Sequence, residues 1–148
     1  MKTVLAVTCF GLMLAGCATE QARRQTASGN AEYVVSDASL EDVQGRVAGR
    51  CQLMGWQIVE QQKNYTVCSK AMSGSSGVFA QLMLGNGYST SPEMKVRFVH
   101  TAVGSATEVS AAAWIETQMA MGQVRKAPLT DAKTQNGLQD ILDSLSRP

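Results

Sequence analysis

The side chains able to do chemistry are few. His100 is the one imidazole in the chain, and no Gly-x-Ser-x-Gly elbow occurs anywhere in the sequence. Hydrolysis needs an activated nucleophile within hydrogen-bond reach of a base. A histidine at the end of a strand is more ordinarily exposed or hydrogen-bonded than catalytic. Met119-Ala120-Met121 sets two thioethers two residues apart. On a strand they would share a face, and soft sulfur suits Cu(I). Two sulfurs do not complete such a site, so Met83, Met94 or His100 would have to converge on them; methionine as a core gap-filler is the commoner use. Arg23-Arg24 could touch lipid phosphates, at about 1 kcal/mol per charge near an anionic surface. Cys51 and Cys68, far apart and with a single histidine in the chain, do not make a zinc pattern. The carboxylates follow no calcium-loop spacing, and no phosphate-cradling glycine fingerprint follows a strand. The chemistry on offer therefore predicts a protein that is not an enzyme and holds no cofactor and no metal.

The elements that would position these groups follow from periodicity. Residues 18–31 carry almost no large apolar side chains, cannot bury enough surface to offset their ordering entropy, and read as a flexible tether. Tyr33-Val34-Val35 is a short strand. Ser39 is a helix N-cap, with Glu41 and Asp42 in the first turn. Leu40, Val43, Val47, Cys51 and Met54 then recur at helical spacing up to Gly55. Gly45 and Gly49 in that helix predict either close approach of a neighbouring backbone or merely an indifferent helix. Trp56 to Gln61 alternates, Lys63-Asn64 interrupts, and Tyr65 to Cys68 completes a hairpin. Two longer alternating strands run over Met94–His100 and Val109–Ile115, joined by the Val103-Gly104-Ser105 turn, and 123–129 adds another. Thr130 or Asp131 opens a last helix with Leu138, Ile141, Leu142 and Leu145 on one stripe.

Between the hairpin and the next strand, residues 73–92 break the pattern. An apolar run over 78–84 is bracketed by glycine and serine. It is either a short helix covering the core, the commoner fate of such a run, or an exposed docking element. If it docks a partner, the residues doing so are Val78, Phe79, Leu82, Met83, Leu84 and Tyr88. The order of elements predicts an α+β fold: an antiparallel β-sheet of four to six strands with two helices packed on one face.

Composition sets the outer bounds. The chain has 148 residues, 45% hydrophobic, with 13 Lys+Arg against 12 Asp+Glu, which suits a single domain. Near-neutral charge without a basic cluster argues against nucleic acid as partner. No apolar stretch reaches the roughly 18 residues of a spanning helix. Ordinary apolar content and minimal net charge also exclude an extended disordered chain.

The first seventeen residues carry the most specific signal. Lys2 precedes an apolar core over Thr3–Ala15, which ends in Leu14-Ala15-Gly16-Cys17. Here the chain resembles the bacterial lipoproteins, whose lipobox is an aliphatic residue, two small residues and a cysteine. The resemblance implies a signal peptide over 1–16, cleavage after Gly16, and lipidation of Cys17 by diacylglycerol and then, at its new amino group, by a fatty acyl chain such as palmitate. Several chains anchor stably where one does not. In Gram-negative members an aspartate after the cysteine retains the protein in the inner membrane, so Ala18 implies transfer to the outer membrane. The resulting organisation is a signal peptide at 1–16, a lipidated flexible tether at 17–31 and a single periplasmic α+β domain at 32–148. Only Lys2 among the charged residues leaves with the signal, so the mature chain carries no net charge.

Export implies an oxidising compartment. Cys9 departs with the signal and Cys17 is lipidated, so Cys51 and Cys68 remain as an even pair, and a disulfide between them is expected on compartment and parity. It would clamp the first helix to the sheet. The expected function is an outer-membrane-anchored, non-enzymatic lipoprotein facing the periplasm, held to the membrane by its lipid and binding another envelope protein. Its rivals are a small-ligand or metal-binding module and an exclusion or immunity lipoprotein that blocks a receptor or toxin.

Overall fold

A computed structural model describes residues 20–84 and 90–146. Six strands form one antiparallel sheet: β1 (Ala31–Val35), β2 (Gln57–Gln62), β3 (Tyr65–Ala71), β4 (Glu93–Val103), β5 (Ala106–Gln118) and β6 (Val124–Leu129). Helices α1 (Leu40–Leu53), α2 (Gly74–Leu84) and α3 (Ala132–Asp143) complete the α+β fold, with 3-10 turns at Ala120–Gly122 and Ser144–Ser146. Strands β2 to β5 form a meander in chain order. β5 is long enough to take two partners end to end on its remaining side: β1 pairs with Thr107–Ala111 and β6 with Ala113–Gln118. Pro128 is tolerated in β6 because an edge strand leaves one row of N–H groups unused.

α1 starts where its cap chemistry dictates. The Ser39 hydroxyl accepts from the Asp42 amide, and the Asp42 carboxylate accepts in return from the Ser39 amide. The helix stops at Gly55, whose φ of +70° only glycine adopts readily, and the Trp56 amide folds back to the Cys51 carbonyl at 2.8 Å. α3 is capped by Asp131, whose carboxylate accepts from the Thr134 amide at 3.0 Å. Arg46 and Arg50, one turn apart on α1, each donate to a carbonyl just beyond α3, those of Leu145 and Ser144, both at 2.9 Å. Cations at a helix C-terminus are favourable there.

The core lies between these two helices and one face of the sheet. Val43, Val47 and Cys51 of α1, with Leu138, Leu142 and Leu145 around α3, meet Ala31, Val35, Cys68, Val96, Phe98, Val109, Ala111 and Ala113. The expected stripes and alternations are the ones buried. The close approach predicted at Gly45 and Gly49 is absent: a Cβ at either position would meet no atom within 4 Å. The two glycines therefore only weaken α1.

α2 resolves the broken segment differently from its composition. The helix begins at Gly74, ahead of the apolar run, and takes in the Ser75-Ser76-Gly77 stretch that reads as flexible. Gly77 lies against the carbonyl of Met72, where a Cβ would sit 2.8 Å from the oxygen. The helix contacts β5 and β6, and Arg125 reaches the Leu84 carbonyl at 3.4 Å. At the other end of the domain, residues 20–24 run along α3. Arg23 donates through its amide to Asn136 at 2.8 Å and through its guanidinium to Asp140 at 2.6 Å, while Asn136 donates to Glu20 and to the Gln21 carbonyl.

Candidate functional site

The helices leave the second face of the sheet open, and three of its side-chain rows lie together where β2 to β6 run side by side. Antiparallel partners share a face, so the register puts Val67 beside Arg97 and Ala112, Ser69 beside Lys95, Trp114 and Pro128, and Glu93 beside Glu116 and Lys126. Diagonal neighbours on such a face lie within reach of long side chains. Cations and aromatic rings alternate along one diagonal. The Arg97 guanidinium lies 5.2 Å from the Tyr65 ring centre and 5.8 Å from that of Trp114, and the Lys126 ammonium lies 5.5 Å from Trp114. Each contact falls within the range of cation–π attraction.

Glu116 organises the other side of this row. Its carboxylate accepts from Lys95 at 2.5 Å and from the Trp114 indole at 3.0 Å, with Lys126 at 3.4 Å. Burial pushes its pKa up, but the hydrogen bonds from Lys95 and Trp114 outweigh this and hold it below the ordinary carboxylate value. The Tyr65 hydroxyl donates to Glu60, which raises the phenol's pKa. Arg97 differs from its neighbours. It is exposed, and among the described residues no carboxylate pairs with it and no acceptor takes its N–H groups. Val59, Glu60, Val67, Lys95, Arg97, Trp114, Glu116 and Lys126 enclose a shallow groove of about 290 Å³.

The residues singled out by sequence fare unequally. Cys51 and Cys68 form the expected disulfide and tie α1 to β3. Of the candidate docking residues, Val78 and Met83 are exposed and Leu84 is half-buried, while Ala80 between them is buried. The side chains of Phe79 and Leu82, together with Tyr88 and Cys17, lie outside the described residues. His100 is 2% exposed and packs on the covered face, its Nε2 3.3 Å from the Thr66 hydroxyl. Burial pushes its pKa down to about 4, so the ring is neutral and enclosed, a poor position for a general base.

Met119 and Met121 do not share a strand face. β5 ends at Gln118; Met119 then precedes a 3-10 turn, and Met121 lies within it, with φ +66° and fully exposed. His100 pairs with Val109, ten residues from Met119 along β5 and its end, a separation of roughly 30 Å at strand rise. His100 therefore does not converge on the two sulfurs. Among the described residues no three His, Cys, Asp or Glu side chains gather as a metal site, and no helix is long and apolar enough to cross a membrane.

The Tyr65–Arg97–Trp114–Lys126 row escaped the sequence reading. Each residue stands on a different strand, so only the register unites them. The available signal was that Trp114 occupies the polar phase of its strand, with Glu108, Ser110 and Glu116. The class defined by this geometry is an α+β domain whose sheet is covered by helices on one face and bears a cation–aromatic row on the other. No protein-family model and no curated protein matches the chain.

Proposed function

We propose that this chain is the precursor of an outer-membrane lipoprotein that acts without catalysis, by binding another protein of the bacterial envelope. Residues 1–16 direct export, Cys17 takes the acyl chains, and Ala18 permits passage to the outer membrane. The domain then faces the periplasm. The observation that carries the binding role is the open face, where an aromatic and cationic row remains partly exposed on a sheet otherwise closed by its helices. Aromatic residues and arginine are the side chains enriched at binding hot spots. The disulfide between Cys51 and Cys68 supports an oxidising compartment.

Metabolic labelling with palmitate tests the anchor. The wild-type protein takes the label and sediments with outer membranes, and Cys17→Ser loses both properties; an unlabelled wild-type protein that keeps residues 1–16 overturns it. Photo-crosslinking in intact cells tests the binding. A crosslinker at Val99 or Ser110 on the open face yields one adduct of defined size, whereas the same group at exposed Gln52 on α1 yields none. Equal or absent adducts at both places overturn the role of the face.

A further inference from the structure

The binding role proposed above leaves the partner's chemistry open, and the groove on the open face narrows it. The lining brings together Lys95, Arg97 and Lys126 with Glu60 and Glu116, three cations against two carboxylates. Glu116 is occupied by Lys95, Lys126 and the Trp114 indole, and Glu60 by the Tyr65 hydroxyl. The surplus positive charge is therefore localised on Arg97. Its guanidinium is held between the Tyr65 and Trp114 rings, which limits its rotamers while leaving its N–H groups without acceptors among the described residues. A guanidinium so fixed is preorganised for two parallel hydrogen bonds to a planar carboxylate. Half-exposed Val59 forms an apolar rim beside it, while Val67 beneath is already buried. The groove crosses five strands, from β2 to β6, about 20 Å at the usual strand spacing, or the length of some six extended residues.

We propose that this groove binds one aspartate or glutamate side chain on an extended segment of the partner protein, with Arg97 as its bidentate donor and an apolar neighbour of that carboxylate resting on Val59. A membrane surface is the poorer fit. Attraction to anionic lipid accumulates at about 1 kcal/mol per cation, and only one cation here lacks a carboxylate partner.

The test uses the full chain in detergent micelles, labelled for NMR at the Trp114 indole and the Arg97 side chain. The probe is a six-residue peptide blocked at both ends, with one glutamate between two valines. It should shift both signals saturably in the millimolar range, and its glutamine isostere should bind about tenfold more weakly, equivalent to about 1.4 kcal/mol. Arg97→Gln should abolish the difference between the two peptides, and Arg97→Lys should restore less than half of it, because an ammonium has no fork. Equal binding of the two peptides overturns the proposal, as does a response to inorganic phosphate as strong as to the glutamate peptide. A stronger response to micelles doped with phosphatidylglycerol overturns it in favour of the membrane. The titration does not depend on acylation: a failed titration leaves the lipid anchor standing, and an unlabelled Cys17 leaves the groove standing.

Discussion

Phe98 and Arg97 are adjacent in β4 and point to opposite sides of the sheet, and each typifies its side. Phe98 is 1% exposed and lies in the core cluster that α1 and α3 close over the sheet. Arg97 is exposed and lies against the rings of Tyr65 and Trp114 on the neighbouring strands. The covered face is stable through burial of apolar area, a large and non-directional effect. The open face is organised by cross-strand pairs worth a few tenths to 1 kcal/mol each. A surface of the second kind can change its contacts, and so bind and release, without endangering the fold.

Truncation should separate the faces most sharply. Phe98→Ala is expected to lose about 3–5 kcal/mol of unfolding free energy through the cavity it leaves, whereas Arg97→Ala should lose no more than about 1 kcal/mol. Denaturant titrations of both variants measure the contrast, and similar losses would dissolve the distinction between the faces.

The next effect is the clamp on the covered face. Replacing Cys51 and Cys68 together by alanine should cost about 3 kcal/mol, because the bridge closes a loop between residues seventeen positions apart in the unfolded chain. Free-thiol titration of protein isolated from cells without reductant checks that the bridge forms in the cell.

A pH effect of about 2 kcal/mol should follow from His100. Its folded pKa lies near 4, below the ordinary 6.5, so the unfolded chain binds the proton first. Stability contributed by the neutral ring is complete above pH 6.5 and falls as pH drops toward 4. Unfolding at pH 7 and pH 5 should show the loss in wild type and a flat response in His100→Gln. The lowered carboxylates Asp42, Glu116 and Asp131 are weakened only at still lower pH, as protonation passes through their folded values.

The smallest predicted change is a gain. Gly45→Ala should raise stability by about 0.5–1 kcal/mol, since nothing occupies the space of the added methyl group and the helix gains propensity. A loss in melting temperature would mean that α1 packs more closely at this turn than the open space beside Gly45 indicates.

The two faces were also unequally legible. The covered face announces itself within single segments: Val43, Val47 and Cys51 repeat at helical spacing, and Val96 and Phe98 alternate with charge. Such patterns need no knowledge of which strands pair. The open face needs that knowledge, because Tyr65, Arg97, Trp114 and Lys126 are scattered across sixty residues and meet only through register. Locally, Arg97 and Lys126 look like ordinary solvated side chains. The start of α2 was hidden for a related reason. Gly74 to Gly77 has weak helix propensity, and it is helical in the fold where Gly77 rests on the Met72 carbonyl, a contact that composition does not encode.

The contact of Arg23 with α3 bears on the mechanics of attachment. With Arg23 held to Asp140 and Asn136, and Glu20 also bound by Asn136, the span between residue 17 and Glu20 is three peptide units, or about 10 Å at full stretch. A lipidated protein on so short a leash would stand close to the bilayer with α3 toward the headgroups. On the proposed anchor, freeing the whole 20–24 segment would lengthen the leash several-fold and let the body swing, and that means giving up the bonds of Asn136 to Glu20, Gln21 and Arg23 together with the Arg23–Asp140 pair.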